Sequence, residues 1–245
     1  MRYIITLIAC SLLFAQCTAP DIDVHPTGSY DTLGVKWMTI ERDNIIYYFQ
    51  GTGAKGASVY TDLHEEGYDK LVPVFNAQLP KKLRYFVWTD WEVASQIFNP
   101  PPWAAGLAFS KSCICHVQAD IDLGHEITHV LSYWANGIPQ ETYSRLVTEG
   151  VAVAFDLRGD NKLETAKKAL SGKGFQSVAE FWTDTPDSIS PDVFYPVAGA
   201  FIDFLYKKNM PDQFFTLLKY QTREEAGYIY GKEQLDAYIA EFDGL

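Results

Sequence analysis

Residues 125–129 read His-Glu-Ile-Thr-His, the motif H-E-x-x-H, and an apolar run follows them. Apolar residues at helical spacing predict that this stretch is an α-helix, with Asp122 as its N-cap. Two histidines four positions apart share one face of a helix, so His125 and His129 can bind a single metal ion. Glu126 lies one position round the same helix, where its carboxylate can take a proton from a water on that metal. The stretch therefore predicts a zinc centre with its own general base.

Glu149 is the candidate for a third metal ligand, because catalytic zinc sites take three protein ligands and leave one position open. This acid lies within an otherwise apolar run, residues 146–155. A buried carboxylate without a partner costs several kcal/mol. The 20 positions from His129 to Glu149 accommodate the end of one helix, a loop and the start of a second, antiparallel helix. We therefore expect Glu149 to face the two histidines, and we expect the cofactor to be Zn2+.

The motif H-E-x-x-H at 125–129, followed by T-E-G-x-A at 148–152, resembles the gluzincin metallopeptidases. The E-G-x-A part of this pattern is similar to the small peptidase MA-like proteins of bacteria. The resemblance implies a zincin-like α+β fold in which a glutamate of the second helix, here Glu149, is the third ligand. The chain departs from thermolysin-type members, since it has no Asp four residues after Glu149 and no evident downstream histidine. Other residues must therefore support the metal and the oxyanion.

Two tyrosines are candidates for stabilising the oxyanion that forms when a peptide carbonyl is attacked. Tyr195 begins an apolar helical stretch similar to one near the C-terminus of the peptidase MA-like proteins, and a phenol donor suits acyl-transfer chemistry. Tyr143 is the second candidate, because it lies between the predicted ligands as the loop tyrosine of thermolysin-type enzymes does. The competing interpretation of Tyr195 is an ordinary packed aromatic among the 15 tyrosines.

The segment from Ala104 to Val117 precedes the predicted metal-binding helix. The resemblance implies that an edge strand here pairs with extended substrate, and Gly106 would let a backbone approach closely. An ordinary edge strand is the alternative. Aminopeptidase members of the superfamily hold the substrate's amine with an acid in this segment, but residues 104–119 contain no Asp or Glu. We therefore expect internal cleavage, without a requirement for a free N-terminus.

Periodicity along the chain predicts an α+β fold, mixed α and β in its first half and mainly helical after Asp122. A cleft between the two halves is the natural place for the metal site. The predicted elements of the first half are strands at 35–38, 45–50, 83–89 and 108–117, a helix at 57–75, and a short helix capped by Asp90 that reaches Phe98.

Composition excludes several classes of protein. The chain has 245 residues, 47% of them hydrophobic, which is ample for a packed core and excludes a disordered or collagen-like chain. A net charge of −11 disfavours binding to phosphate backbones, so we expect no nucleic-acid partner. Four cysteines are too few for a disulfide scaffold. Cys113 and Cys115 are predicted to be buried thiols, and a metal site that they form with His116 is the alternative.

The N-terminus has the pattern of a targeting segment. Arg2 precedes an uncharged apolar run that is too short to cross a bilayer and has the length of a signal-peptide core. The run ends at Cys17, which resembles the lipid-acceptor cysteine of bacterial lipoproteins. We therefore predict a signal peptide over residues 1–16, a lipid on Cys17 that anchors the protein to the membrane, a tether over 17–32 and a metallopeptidase domain over 33–245. Plain secretion and an uncleaved anchor are the alternatives.

These patterns predict a zinc-dependent peptidase at the bacterial cell envelope, with a peptide or a protein as its substrate. Two alternatives from other classes remain open. One is a lipoprotein that keeps the metal fold as a non-catalytic binding module, which the intact Glu126 disfavours. The other is a zinc hydrolase of a non-peptide amide.

Overall fold

The computed structural model describes residues 35–51, 56–101, 104–119, 123–174, 177–183, 189–208 and 211–245. These residues form a mixed α/β fold built on a five-stranded sheet. The predicted signal peptide, the tether and Cys17 lie outside the described residues. Among those described, no helix combines the length and the hydrophobicity needed to cross a membrane.

The five strands come from the first half of the chain and form one mixed sheet. Its order is β1-β2-β3-β5-β4, in which β2, β3 and β5 are parallel and each outer strand is antiparallel to its neighbour. Strand β4 is therefore at an edge of the sheet. The strands are β1 (Trp37–Glu41), β2 (Ile45–Gln50), β3 (Leu83–Trp88), β4 (Gly106–Phe109) and β5 (Ile114–Gln118).

Alternate residues of the central strands enter two apolar cores on opposite faces of the sheet. Tyr85 and Val87 of β3 pack in the larger core, which includes residues of the helical second half. Phe86 and Trp88 belong to a smaller aromatic cluster with residues of the helix at Trp91–Phe98. Because both faces are covered, β3 is apolar at nearly every position, as is typical of a buried parallel strand.

Helices make up most of the described chain after β5. Two helices lie between the strands and seven follow them within the described residues. They are α1 (Ala57–Phe75), α2 (Trp91–Phe98), α3 (His125–Tyr133), α4 (Arg145–Ala154), α5 (Lys162–Leu170), α6 (Pro191–Lys208), α7 (Pro211–Lys219), α8 (Arg223–Tyr230) and α9 (Lys232–Asp243).

Helices α4 and α6 pack closely because glycines lie between them. A Cβ atom at Gly150 would lie 2.8 Å from the carbonyl oxygen of Ala198 and 2.6 Å from Cγ1 of Ile202. Gly199 lies in the same way against Val153. A larger residue at either glycine would force the helices apart. The close approach brings the first turns of α6 towards α3.

The predicted strand at 108–117 is wrong. The structure has two antiparallel strands there, β4 and β5, joined by a 3-10 turn at Ser110–Ser112. Cys113 then adopts a left-handed backbone conformation with φ of 52°, which cannot continue an extended strand. The polar Ser-Lys-Ser sequence is therefore the turn of a hairpin, inside a run that is otherwise β-like.

The other predicted elements of the first half agree more closely with the structure. The helix at 57–75 and the strand at 45–50 have the predicted bounds. Asp90 caps α2 as predicted, since its side chain accepts hydrogen bonds from the backbone N–H groups of Glu92 and Val93.

Two termini differ from the prediction. Strand β1 begins two residues later than predicted and continues to Glu41. At the start of α3, the N-cap position belongs to Gly124, with φ of 85°, and Asp122 lies outside the described residues.

Candidate metal centre

Two hydrogen bonds hold the first turn of α3, which carries the H-E-x-x-H motif. His125 follows Gly124 directly, and the hydroxyl of Thr128 donates to the Gly124 carbonyl oxygen at 2.9 Å. The thiol of Cys115 in β5 donates to the carbonyl oxygen of Glu126 at 3.3 Å. The Cys115 contact joins the motif to the sheet, and the Thr128 contact lies within the first turn of the helix.

Helix α4 presents Glu149 and is held by one buried amide. The oxygen of the Gln221 side chain accepts from the backbone N–H of Ser144 at 3.0 Å and from the hydroxyl of Thr148 at 2.8 Å. Gln221 lies between α7 and α8, so it ties the first turn of α4 to the C-terminal helices. Glu149, the next residue after Thr148, is only 2% exposed.

The structure brings His125, His129 and Glu149, here called the metal triad, to one point. The Nε2 atoms of the two histidines lie 3.2 Å apart, and each lies 3.4 Å from Oε2 of Glu149. A tetrahedral zinc with ligands at about 2.0–2.1 Å separates neighbouring ligand atoms by about 3.4 Å. The three atoms therefore have the spacing of one face of a zinc coordination shell. Among the described residues, this is the set of His, Cys, Asp and Glu side chains that converges in this way.

The surroundings of Glu149 favour the ionised form of its carboxyl group. Burial on its own raises the pKa of the Glu149 carboxyl, but the adjacent His129 and His125 outweigh it and hold the pKa well below its ordinary value. The group is therefore a carboxylate rather than a neutral acid at physiological pH.

The second ring nitrogen of His129 departs from the usual pattern of a metal site. In metal-ligating histidines the N–H of this second ring nitrogen mostly donates a hydrogen bond to a carboxylate or a carbonyl. In the part of the chain that the structure describes, Nδ1 of His129 is buried without a hydrogen-bond partner. The contacts that orient this ring are therefore those of Nε2, with His125 and Glu149.

Glu126 is buried beside the triad but is not part of it. The residue is 7% exposed, and its side chain lies directly against Gly106 of β4, where a Cβ atom would overlap with the Glu126 carboxylate. Sequence reasoning predicted a close approach at Gly106 and assigned it to substrate. The structure shows that this space is used by Glu126.

A pocket of about 400 Å3 lies over the triad, a volume in the range of small-molecule and peptide side-chain sites. Tyr195 lines it, with its ring centre 6.1 Å from that of His125. Tyr143 is not among the described residues that line the pocket. The lining residues are Ala104, Ala105, Gly106, Leu107, Ala108, His125, Glu126, His129, Glu149, Val153, Asp156, Arg158, Asp160, Lys162, Thr165, Pro191, Asp192, Tyr195 and Pro196.

Part of this lining is a group of charged residues that sequence reasoning missed. We call Asp156, Arg158, Asp160 and Lys162 the polar cluster. The ammonium of Lys162 binds Asp156 at 2.7 Å and also binds Asp160, and the Lys162 side chain is 8% exposed. In the sequence, these residues look like an ordinary solvated loop between two helices, and no local pattern marks them as buried.

The alternative site of Cys113, Cys115 and His116 does not form. The two cysteines are buried in the larger core, and within the described residues they are thiols rather than a disulfide, as predicted. His116 lies on the opposite face of β5, stacked on Phe86 at 4.7 Å between ring centres. Its Nδ1 accepts a hydrogen bond from the indole N–H of Trp88 at 3.1 Å. Alternation along the strand therefore separates these side chains.

Comparison with known proteins finds no relative, since no family model and no curated protein matches the chain.

Proposed function

We propose that this protein is a zinc-dependent peptidase with a zincin-like arrangement of its sheet and metal-binding helices. The observation that carries the proposal is the metal triad with Glu126 beside it. Three ligand atoms have the mutual spacing that zinc requires, and a fourth buried acid lies next to them without joining them. A purely structural zinc site has no need of that additional acid.

Each residue of the site has a distinct role in the proposed reaction. Zinc held by the triad supplies a Lewis acid that polarises a carbonyl and makes water more acidic. Glu126 accepts the proton of the attacking water and delivers it to the departing amine. Tyr195 donates its phenol proton in a hydrogen bond to the oxyanion. The triad residues are assigned to the metal because their ligand atoms converge. Glu126 and Tyr195 are assigned to proton transfer and oxyanion binding because they line the pocket without belonging to the triad.

The edge strand β4 supports a peptide as the substrate. Residues 104–108 line the pocket, so the sheet edge runs past the triad. An extended peptide can add to such an edge through backbone hydrogen bonds. No acid in residues 104–119 is available to hold a substrate amine, which supports internal cleavage. Equal digestion of acetylated and unblocked peptides is expected, and strict dependence on a free amine would contradict it.

We place the enzyme at the bacterial cell envelope, anchored through a lipid on Cys17. The support is the apolar N-terminal run that ends at this cysteine. Expression of a Cys17→Ser variant should move the protein from the membrane fraction to the soluble one. An unchanged distribution would favour plain secretion or an uncleaved anchor.

The experiment that tests the proposal is substitution of Glu126. A Glu126→Gln variant should retain about one zinc per chain, because the residue is not a ligand and the amide is nearly isosteric. Its kcat on a peptide library should fall by about 10²–10⁴-fold, since an amide cannot accept the proton. Glu233→Gln, an exposed change on α9, is the matched control and should leave both properties unaltered.

Two outcomes would overturn the proposal. Equal digestion by the wild type and the Glu126→Gln variant would mean that a contaminant or another base performs the cleavage. Binding of zinc by both proteins without digestion by either would indicate a non-catalytic metal-binding module.

A further inference from the structure

Arg158 lies in the loop between α4 and α5 and lines the same pocket as the metal triad. Its side chain is 52% exposed, so it is open to a ligand that enters the pocket. The proposed reaction gives this residue no role. An arginine that faces a substrate pocket is available for recognition of an anionic group.

The position of Arg158 is set by a buried carboxylate. Asp156 has a side chain that is only 1% exposed, and its Oδ2 lies 3.4 Å from Nε of Arg158. Its Oδ1 accepts a hydrogen bond from the backbone N–H of Arg158 at 3.1 Å. One fixed acid therefore holds the backbone of Arg158, and its other oxygen, which has no hydrogen-bond partner among the described residues, draws the guanidinium towards it by charge.

Arg158 shares the neutralisation of the adjacent carboxylates with Lys162. The ammonium of Lys162 lies 2.7 Å from Asp156 and also binds Asp160, whose other oxygen accepts from the hydroxyl of Thr165 at 2.7 Å. Within the described residues, the ion pair of Arg158 is with Asp156 alone and involves Nε. The two terminal nitrogens, with four N–H donors, remain for a ligand.

We propose that Arg158 is a specificity-determining residue that binds a carboxylate of the substrate, an inference that rests on the proposed peptidase function. A guanidinium presents two parallel N–H donors that match the two oxygens of a carboxylate. The carboxylate is either the C-terminal group of a peptide or the side chain of Asp or Glu. Asp192 also lines the pocket, but it is exposed to solvent on α6, which screens its charge.

Peptide binding to the zinc-loaded Glu126→Gln protein tests this inference without turnover. Three peptides share one sequence with a central Gln and a C-terminal amide; one is unmodified, one carries a free C-terminal carboxylate, and one has Glu in place of the Gln. At least one carboxylate peptide should bind about tenfold more tightly than the neutral peptide, the scale of a hydrogen bond to a charged group. Which of the two does so identifies the source of the carboxylate.

The same measurement on second-site variants assigns the effect to Arg158. Addition of Arg158→Gln should remove the preference, and addition of Arg158→Lys should restore only part of it, since a lysine lacks the planar fork. Arg223→Gln is the matched control, because Arg223 also pairs loosely with an acid, Asp236 at 3.6 Å, and is 46% exposed outside the pocket. That control should keep the full preference. Thermal melting and zinc content confirm that each variant is folded.

Equal binding of all three peptides would overturn the inference, as would a carboxylate preference that survives Arg158→Gln. A fourth peptide, with Lys in place of the Gln, should not bind more tightly than the neutral peptide; if it does, the acidic residues of the pocket rather than Arg158 select the substrate. Failure of the proposed function has a different signature. If the wild type cleaves no peptide but the Arg158-dependent preference is present, the peptidase assignment fails and the carboxylate site remains. If peptides are cleaved without any such preference, the peptidase assignment stands and the carboxylate site is wrong.

Discussion

The metal triad and the polar cluster line one pocket, yet they balance their charges in opposite ways. In the polar cluster, the buried ammonium of Lys162 lies between two carboxylates, so the chain itself provides the counter-charge. In the metal triad, the Glu149 carboxylate is surrounded by imidazoles, which carry a charge only when they are protonated. A metal ion is the cation that we propose for the triad, whereas the polar cluster contains its own cations, Lys162 and Arg158. A buried acid indicates a metal ligand when its neighbours are other ligand atoms, and a structural or recognition role when they are cations.

Removal of the triad's carboxylate should produce the largest effect. A Glu149→Ala variant should lose most of its zinc and with it all measurable peptide cleavage, because two histidines alone do not complete a three-ligand site. Asp160→Asn, a change in the polar cluster, is the control and should keep about one zinc per chain. Metal analysis of the purified variants measures both. Full zinc occupancy in Glu149→Ala would remove this residue from the site.

Removal of Lys162, the buried cation of the polar cluster, should act on folding instead of on metal binding. Lys162→Met leaves the Asp156 side chain, which is 1% exposed, without its closest cation and with only the 3.4 Å contact to Arg158 as an ion pair. Loss of one partner of a buried pair costs about 3–5 kcal/mol, so the free energy of unfolding in urea should fall by that amount. Lys208→Met, which breaks an exposed pair with Glu241, should cost about 1 kcal/mol or less. A similar cost for both would show that the polar cluster is solvated.

Substitution of Tyr195 tests whether the phenol that lines the pocket beside His125 takes part in the reaction. In Tyr195→Phe, kcat should fall by about 10²–10³-fold, or about 2.7–4 kcal/mol, with zinc retained, because one oxyanion donor is lost. Tyr143→Phe should have little effect, since Tyr143 does not line the pocket among the described residues. If the two variants show the opposite order in steady-state kinetics, Tyr143 is the oxyanion donor.

The smallest effect is expected where β4 touches the general base. Gly106→Ala places a methyl group against the Glu126 carboxylate, which must shift to accommodate it. Overpacking of this kind costs about 1–3 kcal/mol, so kcat/KM should fall about tenfold while the zinc content stays unchanged. Gly227→Ala in α8 is a matched control, because nothing lies within 4 Å of the added methyl group. Unaltered kcat/KM in Gly106→Ala would mean that the position of Glu126 is not critical.

The accuracy of the sequence-based fold followed the range of the interactions involved. Helix α1 and strand β2 have the predicted bounds because their apolar spacing is a local property of the chain. The hairpin of β4 and β5 was missed because a short polar turn at Ser110–Ser112 lies within a continuous β-like run. Composition alone does not show where such a run reverses direction.

The sequence by itself determined which side chains can act as ligands and as base. The spacing of His125, Glu126 and His129 needs only a helix, and α3 provides it. Convergence of Glu149 on the histidines was an expectation that only packing could decide. It depends on Gln221, 72 positions further along the chain, holding α4, and on Gly150 allowing α6 to approach.

Tertiary structure alone decided that Gly106 borders Glu126 and that Lys162 is buried between two acids. These contacts join segments that are far apart in the chain or that look solvated in the sequence. Local periodicity records which face of an element is apolar, but it does not record which other element covers that face. The cost of a buried charge depends on that covering element, and so the roles of the charged residues in this pocket became visible only in the folded chain.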